Sequence, residues 1–208
     1  VEAWRRREGK VKVGLSPHAP YSVSPPLLKR LAEWARAEGL PLMVHAAESP
    51  EEVAFLARGE GPLREVYGRF AKTPWTPPGT TPVRHLHALG VLGPTTLLVH
   101  GVQVDEEEVG LLAETGTKVV LCPRSNANLE VGEAPLALYA KHGVELALGT
   151  DSRGSSPDLD VKNEARFLWG RAEPRLLVRA LTRGGYRALG LPTPRLTRGT
   201  PLSLVHFL

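Results

Sequence analysis

The residues Leu40–Ser49 read LPLMVHAAES, and this stretch decides the fold class. A nearly unbroken apolar run ends here in a histidine, His45, and an acid, Glu48, follows shortly after it. A short apolar run without polar alternation is typical of a strand buried on both faces, as in a parallel sheet covered by helices. The stretch therefore predicts an inner strand with chemically active side chains at its carboxyl end.

Outward from this strand, strands and helices alternate along the chain. Four further apolar runs predict strands at Val11–Leu15, Thr95–His100, Lys118–Leu121 and Val144–Leu148. Helices are predicted at 25–38, from 49 onward, and at 63–70, 83–89, 105–114, 134–142, 158–169, 174–182 and 184–189. Such alternation predicts an α/β fold with a parallel sheet. A closed barrel of this type needs about eight strands, so two architectures stay open: a smaller open sheet, and a chain that begins part-way round a barrel.

The polar residues that follow the apolar runs indicate one shared site. His45 lies near the end of the run at 40–46 and Glu48 follows that run. His100 ends the run at 95–100, and Asp151 follows the run at 144–148. In a parallel barrel the carboxyl ends of the strands meet at one mouth, where active sites lie. Imidazole and carboxylate are ligands of zinc and similar ions, and a catalytic ion needs a nearby carboxylate to carry protons. The pattern indicates a metal centre with Glu48 as the proton carrier.

The bulk composition is that of an ordinary soluble globular protein, with 42% hydrophobic and 23% charged residues in a chain of 208. The net charge of +4 is modest and the arginines are scattered, which disfavours a nucleic-acid partner. No apolar run is long enough to cross a membrane, and the start VEAWRRREGK does not read as a signal peptide. The single cysteine, Cys122, suits a reducing cytoplasm, and the excess of arginine over lysine favours a heat-adapted source.

Five motifs carry a resemblance to a known family. They are SPHAPYS (16–22), VHAAES (44–49), LLVHGV (97–102), CPRSNANL (122–129) and LGTDS (148–152). In order and spacing they resemble the motifs of the amidohydrolase superfamily. The branch they resemble most contains methylthioadenosine and S-adenosylhomocysteine deaminases, aminodeoxyfutalosine deaminase and triazine chlorohydrolases. Each motif alone is a weak signal, whereas the ordered set is specific.

The resemblance implies a metal-dependent hydrolase-type (β/α)8 TIM barrel, here partial and comprising its strands four to eight. It also implies a small β-sandwich to which the end of the chain returns. Residues 1–198 would then form the partial barrel, and residues 199–208, which read GTPLSLVHFL, would form the returning strand of the sandwich domain.

The resemblance also implies a role for each candidate site residue. His45 and Asp151 match metal ligands of the fifth and eighth barrel strands, and Asp151 also accepts a proton from the attacking water. Glu48 matches the proton-shuttling carboxylate, which also contacts the substrate. His100 matches the sixth-strand histidine that contacts the metal-activated water or the substrate, and His18 matches a histidine that contacts the substrate. The cofactor implied is one divalent ion, Zn²⁺, with Fe²⁺ as the alternative.

One part of the family pattern is absent from this sequence. The family's first strand supplies a His-x-His pair that completes the metal site and would precede His18. Its absence implies that roughly 150 residues, with the first three barrel strands, precede this chain in the natural protein. His85 and His87 do not substitute for that pair, because their segment reads as a short helix, on which residues two apart point about 200° apart.

Two residues of the CPRSNANL motif are interpreted as structural. Asn126 is expected to fix the loop after the seventh barrel strand rather than to touch the substrate. Cys122 is expected to be a small buried residue rather than a nucleophile, since no base is paired with it.

The function predicted for the intact protein is hydrolytic deamination of an aminopurine nucleoside by metal-activated water. Candidate substrates are methylthioadenosine, S-adenosylhomocysteine and aminodeoxyfutalosine, so the partner is a small heterocycle; homo-oligomerisation stays open. The alternatives are chlorohydrolase-type or guanine-deaminase-type hydrolysis of another nitrogen heterocycle, and an inactive fragment without the His-x-His ligands. A flavodoxin-like binding module is disfavoured because the SPHAPYS loop is not glycine-rich.

Overall fold

The computed structural model describes residues 12–70, 75–193 and 198. Its strands are β1 (Leu42–Ala46), β2 (Thr96–His100), β3 (Lys118–Leu121) and β4 (Leu146–Leu148). Its helices are α1 (Pro25–Glu38), α2 (Pro50–Arg58), α3 (Pro62–Phe70), α4 (Pro82–Ala88), α5 (Glu106–Thr115), α6 (Pro123–Asn128), α7 (Leu136–His142), α8 (Val161–Phe167), α9 (Pro174–Arg179) and α10 (Gly185–Ala188), with a π-helical segment, Ala180–Gly184, between the last two. The strand expected at 199–208 lies outside the described residues.

The strands form one parallel sheet in the order β1-β2-β3-β4. Val44 lies opposite Leu98 in one pair of strands, and Val120 lies opposite Ala147 in another. Neighbours in the sequence are thus neighbours in the sheet, without the reversal of strand order that marks a doubly wound fold such as flavodoxin. Consecutive parallel strands joined by helices form a sector of a (β/α) barrel, which is the architecture that the family resemblance implied. No described helix has the length and apolar character to cross a membrane.

The first predicted strand, Val11–Leu15, is reduced in the described residues to a single bridge between Leu15 and Leu42. Leu15 donates its N–H to the carbonyl of Pro41 at 2.9 Å and accepts the N–H of Met43 at 2.8 Å. The next bond of this parallel ladder would need an N–H from Pro41, which proline lacks. The pairing therefore lacks one ladder hydrogen bond on the amino-terminal side of Leu15.

The core lies between the sheet and its helices, and its composition follows from the apolar runs. On β1, Leu42 and Val44 are fully buried against α1 and its neighbours, whereas Met43 and His45 point to the other face of the sheet. Because strand residues alternate between faces, this other face is the interior of the barrel. Burial of the apolar face thus directs His45 toward the centre of the sheet sector.

Helix ends explain where the elements differ from the predicted bounds. The strand predicted from Val144 begins only at Leu146, because the N–H of Val144 closes the end of α7 on the carbonyl of Tyr139 at 3.0 Å. The helix predicted from Asp158 begins at Val161, because Asp160 has extended backbone and caps the helix by accepting the N–H of Lys162 at 3.0 Å. Residues 123–128, interpreted as a loop from sequence, form the short helix α6.

Candidate active site

Three polar side chains meet at the carboxyl ends of the strands. Glu48 follows β1, His100 is the last residue of β2, and Asp151 follows β4. One ligand atom of each lies within 4.8 Å of the ligand atoms of the other two. The convergence expected from the sequence is therefore present for Glu48, His100 and Asp151, and it brings an imidazole and two carboxylates into one small volume.

Left-handed backbone turns the chain sharply at each of these strand ends. Ala47, His100 and Asp151 have φ values of +54°, +77° and +59°. This conformation costs a non-glycine residue about 1–2 kcal/mol. Strain of this kind persists where surrounding contacts enforce it, and it clusters at functional sites. The turns end the strands at this point and set the directions in which Glu48, His100 and Asp151 leave the backbone.

The turns after β1 and β2 are locked together by backbone hydrogen bonds. The carbonyl of Ala47 accepts the N–H groups of Val102 and Gln103, both at 2.8 Å. Gly101 has a φ of +58°, and its carbonyl accepts the hydroxyl of the buried Tyr139 at 2.5 Å. A side chain at position 101 would collide with that hydroxyl. The site therefore rests on a tightly fitted backbone, with little freedom to rearrange.

His100 is held from both sides of its ring. Its Nδ1 lies 2.9 Å from Oδ1 of Asn126, and its Nε2 lies 3.5 Å from Oε1 of Glu48. The ring is only 1% exposed. Because the amide oxygen can only accept, Nδ1 carries the hydrogen and Nε2 faces the site. Asn126 is thus a positioning partner of His100, a role finer than the loop-fixing one expected from sequence.

His45 lies beside this cluster rather than within it. Its ring centroid is 5.6 Å from that of His100 and 5.4 Å from that of His18. The carbonyl of His18 accepts hydrogen bonds from both the backbone N–H of His45, at 2.9 Å, and its Nδ1, at 2.8 Å. With Nδ1 donating, Nε2 is the ring nitrogen that is left to bind a metal ion.

Asp151 is kept ionised by two serine hydroxyls. Ser125 and Ser155 donate to its Oδ2 at 2.6 Å and 2.8 Å. Burial alone would raise the pKa of Asp151, but these hydrogen bonds and the nearby His100 outweigh burial and lower the pKa below its usual value. Neither serine stood out in the sequence, although Ser125 lies in the CPRSNANL motif and Ser155 follows LGTDS.

His18 lies at the exposed rim of the site. Its Nδ1 is 2.6 Å from the hydroxyl of Ser22, and its ring meets that of Tyr21 edge-on at 5.7 Å. Burial and the neighbouring His45 lower the pKa of His18, against an opposing effect of Glu48. A neutral ring at the rim is suited to hydrogen-bonding a polar ligand that enters the mouth.

The donor set fits a divalent cation. The imidazole nitrogens of His45 and His100 and the carboxylates of Glu48 and Asp151 are the atoms that bind zinc and similar ions in proteins. The alternative histidines, His85 and His87, lie on the short helix α4, as expected. Burial strongly raises the pKa of the Cys122 thiol, which disfavours a nucleophilic thiolate.

Comparison with known proteins agrees with this arrangement. The sequence profile described as the amidohydrolase family matches residues 2–207. The chain is 43% identical over 216 residues to aminodeoxyfutalosine deaminase of Deinococcus radiodurans, and the match covers 96% of this chain and 50% of that protein. It is 35% identical over 201 residues to a 5-methylthioadenosine/S-adenosylhomocysteine deaminase of Syntrophobacter fumaroxidans, with 92% and 42% covered.

The fold agrees as well. The chain superposes on the crystal structure of an adenosine deaminase from Xanthomonas campestris with bound zinc, with a TM-score of 0.73 at 30% identity, over 91% of this chain and 41% of that one. The chain spans half or less of the length of each of these three proteins.

Proposed function

This chain belongs to the amidohydrolase family, and from that premise we propose that the protein containing it is a metal-dependent hydrolase that deaminates an aminopurine nucleoside. The observation that carries the proposal is the meeting of Glu48, His100 and Asp151 within 4.8 Å at the strand ends. Two carboxylates and an imidazole offer both ligands for an ion and a carrier of protons. The substrate class is supported by the relatives, which are named as deaminases of adenosine-type nucleosides.

We assign His45 and Asp151 as the metal ligands that this chain contributes. Support for His45 is its Nδ1 bond to the carbonyl of His18, which leaves Nε2 to bind an ion. Support for Asp151 is its low pKa, together with two serine bonds that both fall on Oδ2 and so do not occupy Oδ1. Nitrogen and oxygen donors suit Zn²⁺, with Fe²⁺ as the alternative. When bound, such an ion lowers the pKa of a water molecule and stabilises negative charge on the substrate.

Glu48 is the proton carrier in this proposal. It protonates the ring nitrogen next to the carbon that bears the amino group, while Asp151 accepts one proton from the attacking water. The Glu48 carboxylate then takes the remaining proton of the added hydroxyl group and passes it to the amino group, which leaves as ammonia. Asp151 returns its proton to Glu48 once the product has left, so both carboxyl groups regain their starting states. His100, fixed through Nδ1 by Asn126, uses Nε2 to orient that water. The ring carbon thereby exchanges its amino group for oxygen, and one ammonia leaves.

His18 and Glu48 are the substrate contacts in this proposal. His18 lies at the rim, with its Nδ1 engaged by Ser22. The rest of its ring is free to meet the sugar of a nucleoside whose base lies deeper, beside Glu48. A polar group at the rim and proton carriers within would set the orientation of the substrate.

The test uses the full-length protein and a panel of aminopurine nucleosides, with ammonia release as the readout. We expect turnover of adenosine-type compounds, and a Glu48→Gln variant should lose about 10²- to 10⁴-fold in kcat. Glu51→Gln removes the charge of an exposed acid in the first turn of α2, the helix that follows Glu48; it is the matched control and should keep full activity. Turnover confined to guanine or to substituted triazines would overturn the substrate class.

We extend the proposal to the domain organisation and the setting of the protein. Residues 1–198 belong to the barrel, and residues 199–208 to a returning sandwich strand. The single cysteine supports a cytoplasmic location, and the arginine-rich composition supports a heat-adapted source. Limited proteolysis and a thermal melt of the purified protein would check both the domain boundary and the heat stability.

A further inference from the structure

Glu52 is a buried acid next to the site that the proposed mechanism leaves unused. Its residue is 2% exposed, and its Oε2 accepts the backbone N–H of Glu48 at 2.9 Å. Its Oε1 has no hydrogen-bond partner in the part of the chain that the structure describes. Burying a carboxyl group with an unsatisfied oxygen is costly, so a packing role alone does not account for this residue.

A second buried glutamate, Glu108, provides an internal comparison. Glu52 and Glu108 occupy the same position in the first turn of α2 and α5, and both are 2% exposed. Glu108 closes a capping box by accepting the N–H of Asp105, the residue that caps its own helix, at 3.0 Å. Glu52 reaches one residue further back, past the cap Ser49, to the N–H of Glu48. The hydrogen bond of Glu52 therefore fixes the turn between β1 and α2, where Glu48 lies, instead of closing a capping box on its own helix.

The Ala47–Glu48 peptide is the unit that this bond fixes. Its carbonyl accepts the N–H groups of Val102 and Gln103, and its N–H donates to Glu52. Both the carbonyl and the N–H group of this peptide are thus hydrogen-bonded, directly after the left-handed residue Ala47. Rotation of this plane would swing the Cα of Glu48, and with it the carboxylate that lies 3.5 Å from the ring nitrogen of His100.

We propose that Glu52 is a positioning residue that fixes the Ala47–Glu48 peptide and thereby keeps the Glu48 carboxylate within reach of His100 and Asp151. This inference rests on the proposed function, in which Glu48 carries protons. Burial raises the pKa of Glu52 to about 8, against the effect of the backbone N–H groups of Glu48 and Ala47. A neutral carboxyl group still accepts the N–H bond, and glutamine should do the same.

The test compares three variants of the full-length protein. Glu52→Met keeps the volume and removes the acceptor, so kcat should fall by about 10- to 100-fold while KM changes by less than about threefold. Glu52→Gln keeps an oxygen acceptor and should retain kcat within about threefold of the parent protein. Glu108→Met removes an equally buried glutamate from the other helix and should lower stability without lowering kcat.

Hydrogen exchange of the Glu48 amide gives a readout that does not depend on turnover. The exchange should be slow in the parent protein and in Glu52→Gln, and fast in Glu52→Met. An inactive parent protein whose Glu48 amide is protected would refute the proposed function, but it would still support the claim that Glu52 fixes the Ala47–Glu48 peptide. An active parent protein whose Glu52→Met variant keeps kcat, or loses no more than Glu108→Met does, would overturn the inference. Should Glu52→Met not fold, loss of activity or amide protection in Glu52→Gln overturns it, and retention of both supports it.

Discussion

Truncating Asn126 to alanine should separate the stability of the site from its activity. The amide of Asn126 is 2% exposed, and its oxygen accepts Nδ1 of His100, whose ring is 1% exposed. In Asn126→Ala that ring N–H loses its partner in a place that bulk water does not reach. Of the two polar contacts that hold the imidazole, only the longer one, from Nε2 to Glu48, then remains.

Two magnitudes follow from this geometry. An orphaned buried donor costs about 1–3 kcal/mol in the free energy of unfolding. A catalytic group displaced by about 1 Å can lose about 10²-fold in rate. Since Nε2 of His100 is already 3.5 Å from Oε1 of Glu48, a small tilt of the ring would break their contact. We therefore expect a kcat loss of about 10- to 100-fold with little change in KM.

Denaturant unfolding and ammonia release measure the two effects on the same preparation. Gln103→Ala is the control, because Gln103 also gives up a side-chain hydrogen bond, to the carbonyl of Val131 at 2.6 Å, without touching His100. The control should lose stability and keep kcat. A folded Asn126→Ala protein whose kcat equals that of the control would refute the claim that Asn126 holds the catalytic orientation of His100.

Four further outcomes are expected. Burial raises the pKa of Glu52 to about 8, so the folded protein keeps a proton that the unfolded chain releases near pH 4.5. The free energy of unfolding should therefore fall as pH rises from about 4.5 to about 8, by up to about 1.4 kcal/mol per pH unit. Denaturant unfolding of Glu52→Gln should not show this dependence on pH. Gly101→Ala should lower the free energy of unfolding by about 1–3 kcal/mol through its positive φ and the collision with the Tyr139 hydroxyl, and Tyr139→Phe in that background should recover part of the loss in a thermal melt. Burial would raise the pKa of Glu145, but Arg179 and Arg187 outweigh burial and lower it. The ion pairs of Glu145 therefore stabilise the folded protein above about pH 4.5, and this stabilisation is lost as pH falls through the lower pKa of the folded state. Glu145→Gln should lower the free energy of unfolding by at most about 1 kcal/mol at neutral pH and should weaken the loss of stability in acid, as measured by denaturant unfolding. Removal of metal from the full-length protein by a chelator should abolish ammonia release, and added Zn²⁺ should restore it.

The strand ends were predictable because burial and chemistry change at the same residue. An apolar run followed by His or Asp predicts both a strand and a polar residue at or just past its carboxyl end, and β1, β2 and β4 lie where these runs placed them. The starts of helices α2 and α5 could also be predicted from the sequence. Ser49 accepts the N–H of Glu52, and Asp105 closes a full capping box with Glu108. Local hydrogen bonds of this kind act within four residues, so the sequence displays them directly.

The partners of the site residues could not be predicted, since they come from distant parts of the chain. Asn126 lies 26 positions from His100, and Ser125 lies 26 positions from Asp151. Both serve the site because the short helix α6 brings them back over the strand ends, and a helix of 6 residues leaves little periodicity to detect. The hydrogen bond from the Glu48 N–H to Glu52 could not be predicted for another reason. From sequence, Glu52 reads as an acid in the first turn of a helix, where the helix macrodipole favours a negative charge.

The distance between Glu48 and Asp151 shows why fold and chemistry depend on each other here. Glu48 follows β1 and Asp151 follows β4, at opposite edges of the described sheet. Neighbouring strands lie about 4.8 Å apart, so in a flat sheet these two strand ends would be about 14 Å apart. Their ligand atoms nevertheless lie within 4.8 Å of each other and of His100. The reach of the two side chains, the left-handed turns and the curvature of the sheet together close that gap, and a cation held across it would in turn stabilise the curved form over a flatter one.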